Sequence, residues 1–198
     1  VTRTTQAAFY FDLASPLAYL AAERVLHVLP GPAEWRPVLG RELAGGDART
    51  AVEEEPGALR PPEPEGLRAG VELQARALGL QPLRWPEPFP FDSSMAMRVA
   101  TYAASIGRAV PFAQAAFRQA FAGGHSLEDE SFVLIAAAAC EMHPTAVLRG
   151  AQLRATAERL AATTAAARQA GVTEVPAVLA GERVFAGKDM LERAAEQM

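Results

Sequence analysis

Phe9-Tyr10-Phe11-Asp12-Leu13-Ala14-Ser15-Pro16-Leu17-Ala18-Tyr19-Leu20 is the stretch on which the fold turns. Its first half is apolar and aromatic, as a buried strand requires. The chain then passes through a small turn into a helix, with Ser15 at the N-cap and Pro16 at the first helical position. Serine accepts a hydrogen bond from an orphan helix N–H, and proline loses nothing there because that position has no helical partner. Two roles stay open for Ser15. It caps the helix, or it stands where free N–H groups and the positive end of a helix dipole stabilise a thiolate, phosphate or carboxylate.

A second stretch near the other end bears on this choice: Gly171-Val172-Thr173-Glu174-Val175-Pro176-Ala177-Val178-Leu179-Ala180-Gly181-Glu182-Arg183-Val184-Phe185. A helix-ending glycine is followed by Val-Pro opening a short apolar strand, an Ala-Gly-Glu turn, a second strand and a last helix. Together the two stretches resemble the thioredoxin-like fold, in which such a Val-Pro bond is cis and faces the turn before the first helix. Within that fold the chain is similar to the 2-hydroxychromene-2-carboxylate isomerase and kappa-class glutathione transferase family, relatives of the DsbA oxidoreductases. The residues that carry the likeness are the first stretch, Trp35-Arg36-Pro37-Val38, Phe89-Pro90-Phe91, the run from Gly171 to Pro176, and Phe185-Ala186-Gly187-Lys188-Asp189. The likeness spans the chain except about residues 45–66. In that segment relatives carry an asparagine and a Lys-x-x-Tyr-like signature; here Asp47 and Arg49 stand near the first, and the second has no counterpart.

The chain has 198 residues, half of them apolar, enough for a sizeable core. It carries 19 Lys and Arg against 23 Asp and Glu, scattered and not gathered into a stripe, which argues against a nucleic-acid partner. The N-terminus has no apolar signal core, and the longest apolar run, residues 132–140, is far short of a bilayer span. A cytoplasmic protein without membrane contact is the expectation. Cys140 is the one cysteine and lies in an apolar run, where it reads as a small buried hydrophobe. No intrachain disulfide can form. His27, His125 and His143 have no metal-ligand spacing, so no metal site is expected.

In chain order the pattern predicts a strand over residues 7–13, a helix over 16–29 and a strand over 34–39, which together make a parallel βαβ unit. Residues 41–65 are rich in Gly, Pro, Glu and Arg and read as a long variable loop. Helices are predicted over 67–78, 95–106, 110–121, 126–140, 144–148 and 151–170. The aromatic residues Trp85, Phe89 and Phe91 either anchor a loop or, as the family likeness implies, line a cleft. Short strands follow at 177–180 and 183–185, before a final helix. The fold class is therefore α/β: a thioredoxin-like domain of residues 1–40 plus 155–198, with an all-helical subdomain of residues 66–154 inserted in it. The cleft between the two parts is the natural place for a small ligand.

Dithiol oxidoreductases of this fold open their first helix with Cys-x-x-Cys, where this chain has Ser15-Pro16-Leu17-Ala18. A hydroxyl forms no disulfide, so dithiol exchange by the chain's own residues is excluded. A serine can instead donate a hydrogen bond to a thiolate brought in by a cofactor. The family resemblance implies this role for Ser15, with glutathione or another low-molecular-weight thiol as the cofactor. It implies that the main chain of Val175, before Pro176, pairs with the cysteinyl part of that thiol. It further implies that the γ-glutamyl group meets a turn at the last helix, here Gly187-Lys188-Asp189-Met190. Lys188 and Met190 depart from the family's Gly-Ser/Gln-Asp-Arg pattern, and Asp189 fits it or serves as a helix-start acid. The activity so implied is thiol-dependent isomerisation of an aromatic or conjugated substrate. The alternatives are transferase-type conjugation at the same site and a non-catalytic ligand-binding member. A homodimer is compatible with the sequence and not specified by it.

Overall fold

The computed structural model describes residues 6–43 and 66–198. Asp47 and Arg49, which stand near the position of the family's asparagine, lie outside the described residues.

Strand β1 (Ala7–Phe11) is buried at all five positions because both of its faces are covered. Phe9, Phe11 and Ala7 point into the larger core, while Ala8 and Tyr10 join a smaller cluster with Val38, Leu43, Ala167, Val172 and Ala177. That two-residue alternation is the pleat of a strand, and coverage on both sides explains why its sequence reads as unbroken apolar residues. Helices α1 (Pro16–Ala22) and α2 (Val25–Val28) carry the chain to β2 (Ala33–Pro37), which pairs parallel to β1 from Ala7↔Ala33 to Phe11↔Pro37.

The single helix expected over 16–29 is thus two. The N–H of Arg24 bonds Ala21 O, three residues back and not four, and this tight turn ends the first helix. It also sends the Arg24 guanidinium toward Glu192 near the other end of the chain. The second strand ends two residues early. Val38 still donates to Phe11 O at 3.0 Å, but Leu39 donates to the hydroxyl of Thr164 at 3.1 Å and leaves the sheet for a short turn at Gly40–Glu42.

The helical part follows as α3 (Leu67–Ala77), α4 (Ser94–Ser105), α5 (Ala109–Phe121), α6 (Glu130–Ala138), α7 (Pro144–Gln152) and α8 (Arg154–Gln169). Helix α5 buries Phe112, Ala116, Phe117 and Phe121, the face its 3.6-residue spacing predicts. Helix α4 buries Ala96, Met97, Val99, Ala100 and Ala103, with Met95 and Tyr102 at the margin. Helix α6 starts at Glu130 and not at the Ser126 turn, because the Asp129 carboxylate caps the N–H of Ser131 at 2.8 Å. The boundary between α7 and α8 falls at Leu153, three to four residues later than expected. There Gly150 lies flat against the Tyr102 ring, and a Cβ on it would come within 2.3 Å of Tyr102 Cδ2.

The helical part shares one core with the sheet. Phe11 meets Phe117 at 5.9 Å between ring centroids, Tyr19 of α1 stacks on Phe121 at 5.7 Å, and Phe9 meets Trp35 edge-on at 5.0 Å. Trp85, Phe89 and Phe91 all pack around Phe121 as well. The chain closes with the antiparallel hairpin β3 (Ala177–Ala180) and β4 (Arg183–Ala186), then α9 (Met190–Ala195). Strand β3 pairs antiparallel to β1, so the sheet order is β2-β1-β3-β4. This is a mixed four-stranded thioredoxin sheet with a helical insertion.

Candidate active site

The register of β1 against β3 assembles the site. Phe9 stands opposite Val178 and Tyr10 opposite Ala177. Continued by two residues, that register sets Phe11 across from Pro176 and Asp12 across from Val175. The turn that begins at Asp12 ends at Ser15, whose N–H bonds Asp12 O at 3.0 Å. The strand–turn–helix near one end of the sequence and the Val-Pro near the other therefore meet at one end of the sheet. The Val175–Pro176 peptide is cis. Among the described residues the N–H and C=O of Val175 have no hydrogen-bond partner, so the strand edge presented there is unused.

Ser15 is the N-cap of α1, with its Oγ accepting the Ala18 N–H at 3.1 Å. That uses one acceptor site of the hydroxyl and leaves its hydrogen free to donate elsewhere. The two roles open for Ser15 are thus compatible.

Beside this junction lies a cleft of about 600 Å³. One wall is α1, through Leu17, Leu20 and Ala21, and the facing wall is α3, through Gln74, Ala77 and Leu78. Val175 and Pro176 form its head, and Gly187, Lys188 and Asp189, leading into α9, form its third side. Four of the five sequence-derived site residues, Val175, Pro176, Lys188 and Asp189, line one cavity, and Ser15 stands two residues before the lining residue Leu17.

Asp189 occupies the N-cap position of α9 with left-handed backbone, φ 54°, and its side chain makes no capping bond. The left-handed region is unfavourable for a residue with a Cβ, and such positions gather at functional sites. Neither Lys188 nor Asp189 has an ion-pair partner among the described residues. The turn that carries them is held from behind, where the Arg193 guanidinium donates to the carbonyls of Ala186 and Lys188.

Three features of the site are not legible in the sequence. Arg24 and Glu192, 168 positions apart, pair within the cleft wall. Burial works against the Glu192 carboxylate, but its own main-chain N–H and the Arg24 guanidinium hold its pKa below the ordinary glutamate range. Its Oε2 is shielded and has no partner among the described residues. The second feature is the α3 wall, an amphipathic helix with nothing in its spacing to say which cavity it borders. The third is Asp12, buried beneath the Ser15 turn, where burial pushes its carboxyl above the usual aspartate range.

Other candidates lie elsewhere. Trp85, Phe89 and Phe91 are not among the cleft residues; they anchor the loop before α4 to Phe121. His125 stacks on Phe132 at 4.0 Å, outside the cleft. Cys140 is buried just beyond α6, with its thiol pushed up by burial. No cluster of potential metal ligands occurs among the described residues, and no described helix is long and apolar enough to cross a membrane.

The profile of the DSBA-like thioredoxin domain matches residues 6–198. The chain belongs to that family. Among solved structures, this DSBA-like thioredoxin domain is similar to a 2-hydroxychromene-2-carboxylate isomerase, with a TM-score of 0.81 and 20% identity over 97% of this chain and 95% of that one. It is also similar to a probable DsbA oxidoreductase from Streptomyces coelicolor, with a TM-score of 0.71 and 21% identity over 96% and 87% of the two chains. The cytosolic disulfide reductase DsbM from Pseudomonas aeruginosa, solved also with GSH, follows with a TM-score of 0.64 and 13% identity over 98% and 95%. At such identities these likenesses concern the fold. No curated protein sequence matches the chain.

Proposed function

We propose that this DSBA-like thioredoxin domain is a thiol-dependent isomerase of the 2-hydroxychromene-2-carboxylate isomerase type. Ser15 donates its hydroxyl hydrogen to the thiolate of glutathione or another low-molecular-weight thiol. The observation that carries this reading is the strand register that sets the Ser15 turn against the unpaired main chain of Val175, at the head of a cleft bordered by Lys188 and Asp189.

The residues present suit such a cofactor. Val175 offers a main-chain donor and acceptor side by side, as an extended peptide requires. Lys188 and Asp189 offer one charge of each sign to a zwitterionic end group. Ser15 has a free hydrogen, and a charge-assisted bond from it favours the anionic sulfur. The thiol supplies a nucleophile that this chain does not, since its one cysteine is buried elsewhere. The aliphatic walls formed by Leu17, Leu20, Leu78 and Leu191 suit a small aromatic or conjugated substrate. The likeness to an isomerase of this type and to a reductase solved with GSH supports the same assignment.

The test is an absorbance assay of 2-hydroxychromene-2-carboxylate isomerisation with and without added glutathione. Turnover that depends on glutathione supports the reading. Turnover that is the same without any thiol contradicts it.

A further inference from the structure

Asp12 is a buried carboxyl group with both oxygens engaged. Its Oδ1 accepts the N–H of Ala14 at 2.9 Å, inside the turn that ends at Ser15. Its Oδ2 accepts the N–H of Gly40 at 2.8 Å, across the sheet end in the turn after β2. Gly40 in turn touches the other half of the cleft head. A Cβ placed on it would stand 3.2 Å from Val175 Cγ2 and 3.3 Å from Asp12 Oδ2, so the carboxylate and the Val175 side chain meet over a residue that only glycine fills without displacement. The same turn is tied to the start of α4, because Arg41 binds Asp92 at 3.1 Å and the Ser94 hydroxyl at 2.9 Å.

We propose that Asp12 is a positioning residue which sets the gap between the Ser15 turn and the Val175–Pro176 edge, and that its carboxylate form is the one that holds both sides. This rests on the thiol-site reading of that gap. The chemistry demands a carboxylate in particular. Two main-chain N–H groups approach different oxygens, and only an ionised carboxyl offers a full acceptor on each. A proton on either oxygen turns that oxygen toward donation and weakens its hold on the Ala14 or Gly40 N–H, bonds that are partly shielded from solvent. Burial raises the Asp12 pKa, opposed by the Ala14 and Gly40 N–H groups, the Ser93 side chain and the positive charge of Arg41. Arg41 is the charged side chain that acts on it among the described residues, and Asp92 faces that arginine from α4. The proton therefore enters at a milder pH than for an exposed aspartate.

The experiment is an NMR titration of the whole chain, following the Ala14 and Gly40 amides and the Val175 methyl groups from about pH 3.5 to pH 8. The two amides and the Val175 methyls are expected to shift together with one midpoint above that of an exposed aspartate. That shared titration is expected to vanish in Asp12→Asn, whose amide cannot serve both N–H groups. In the unsubstituted protein, glutathione affinity measured by calorimetry over the same range is expected to fall below the same midpoint. Gly40 titrating while Val175 stays still overturns the proposal, as does the absence of any Gly40 titration. The titration of the unsubstituted chain decides this even where Asp12→Asn does not fold. Joint titration with no glutathione binding at any pH upholds the coupling and removes the thiol reading instead.

Discussion

Replacing Ser15 probes two hydrogen bonds at once, and the structure lets them be separated. Ser15→Ala removes the acceptor that holds the Ala18 N–H at 3.1 Å. Loss of such a cap costs about 0.5–2 kcal/mol. Six of the seven residues of α1 are buried, so packing keeps the helix and the protein folds. For a chain of this size the melting temperature should drop by roughly 1–8 °C, at about 2–4 °C per kcal/mol. The same substitution removes the donor to the bound thiolate. A charge-assisted bond is worth about 1.5–3 kcal/mol, which is roughly 10- to 150-fold in thiol-dependent kcat/KM. Ser15→Asp tells the two apart. Aspartate caps as well as serine, so the melting temperature is kept, but it has no hydrogen to give and repels an anion. Thermal melts and glutathione-dependent turnover of both variants are the assays. A Ser15→Asp variant that keeps turnover at the level of the unsubstituted protein would refute the donor role.

Gly150→Ala should destabilise by about 1–3 kcal/mol in a urea melt, since the new Cβ falls within 2.3 Å of the Tyr102 ring and forces α7 away from α4. Asp12 gives a pH signature in stability. Burying the charge costs more than the Ala14 and Gly40 hydrogen bonds return, so its folded pKa lies above its unfolded one; the carboxylate positions both turns at the expense of stability, which is greatest below the ordinary aspartate range and falls as pH rises through the folded value. The stability of the unsubstituted protein relative to Asp12→Asn should accordingly shrink with rising pH in paired urea melts, and a constant difference would count against it. Cys140→Ser should leave turnover intact, and the chain alone should not reduce insulin disulfides, because the buried Cys140 has no second thiol to cycle with.

Much of this was legible in local patterns. The apolar strand, Ser-Pro at a helix start, Val-Pro after a helix-ending glycine, and Phe112, Ala116, Phe117 and Phe121 at 3.6-residue spacing each have a local physical cause, and each stands where that cause puts it. Helix ends were less legible where a stronger local partner existed. The Asp129 cap starts its helix at Glu130 and not at 126, and the tight bond from Arg24 to Ala21 divides what periodicity alone joins. The site divides in the same way. Val175, Pro176, Lys188 and Asp189 belong to local motifs and converge on one cavity. Arg24 with Glu192, brought together where α2 packs on α9, and Asp12 with Gly40, at the ends of paired strands, are relationships between distant segments, and no pattern within either segment reveals them.

Binding of a small thiol between Ser15, Val175 and the Lys188–Asp189 turn is tested most directly by amide chemical-shift mapping with glutathione, repeated with N-acetylcysteine. Saturable shifts gathered at Ser15, Leu17, Val175 and residues 187–189, and absent from the distant His125 and Cys140 regions, are the predicted result. No saturable shift with either thiol, or shifts confined to other surfaces, would contradict the account.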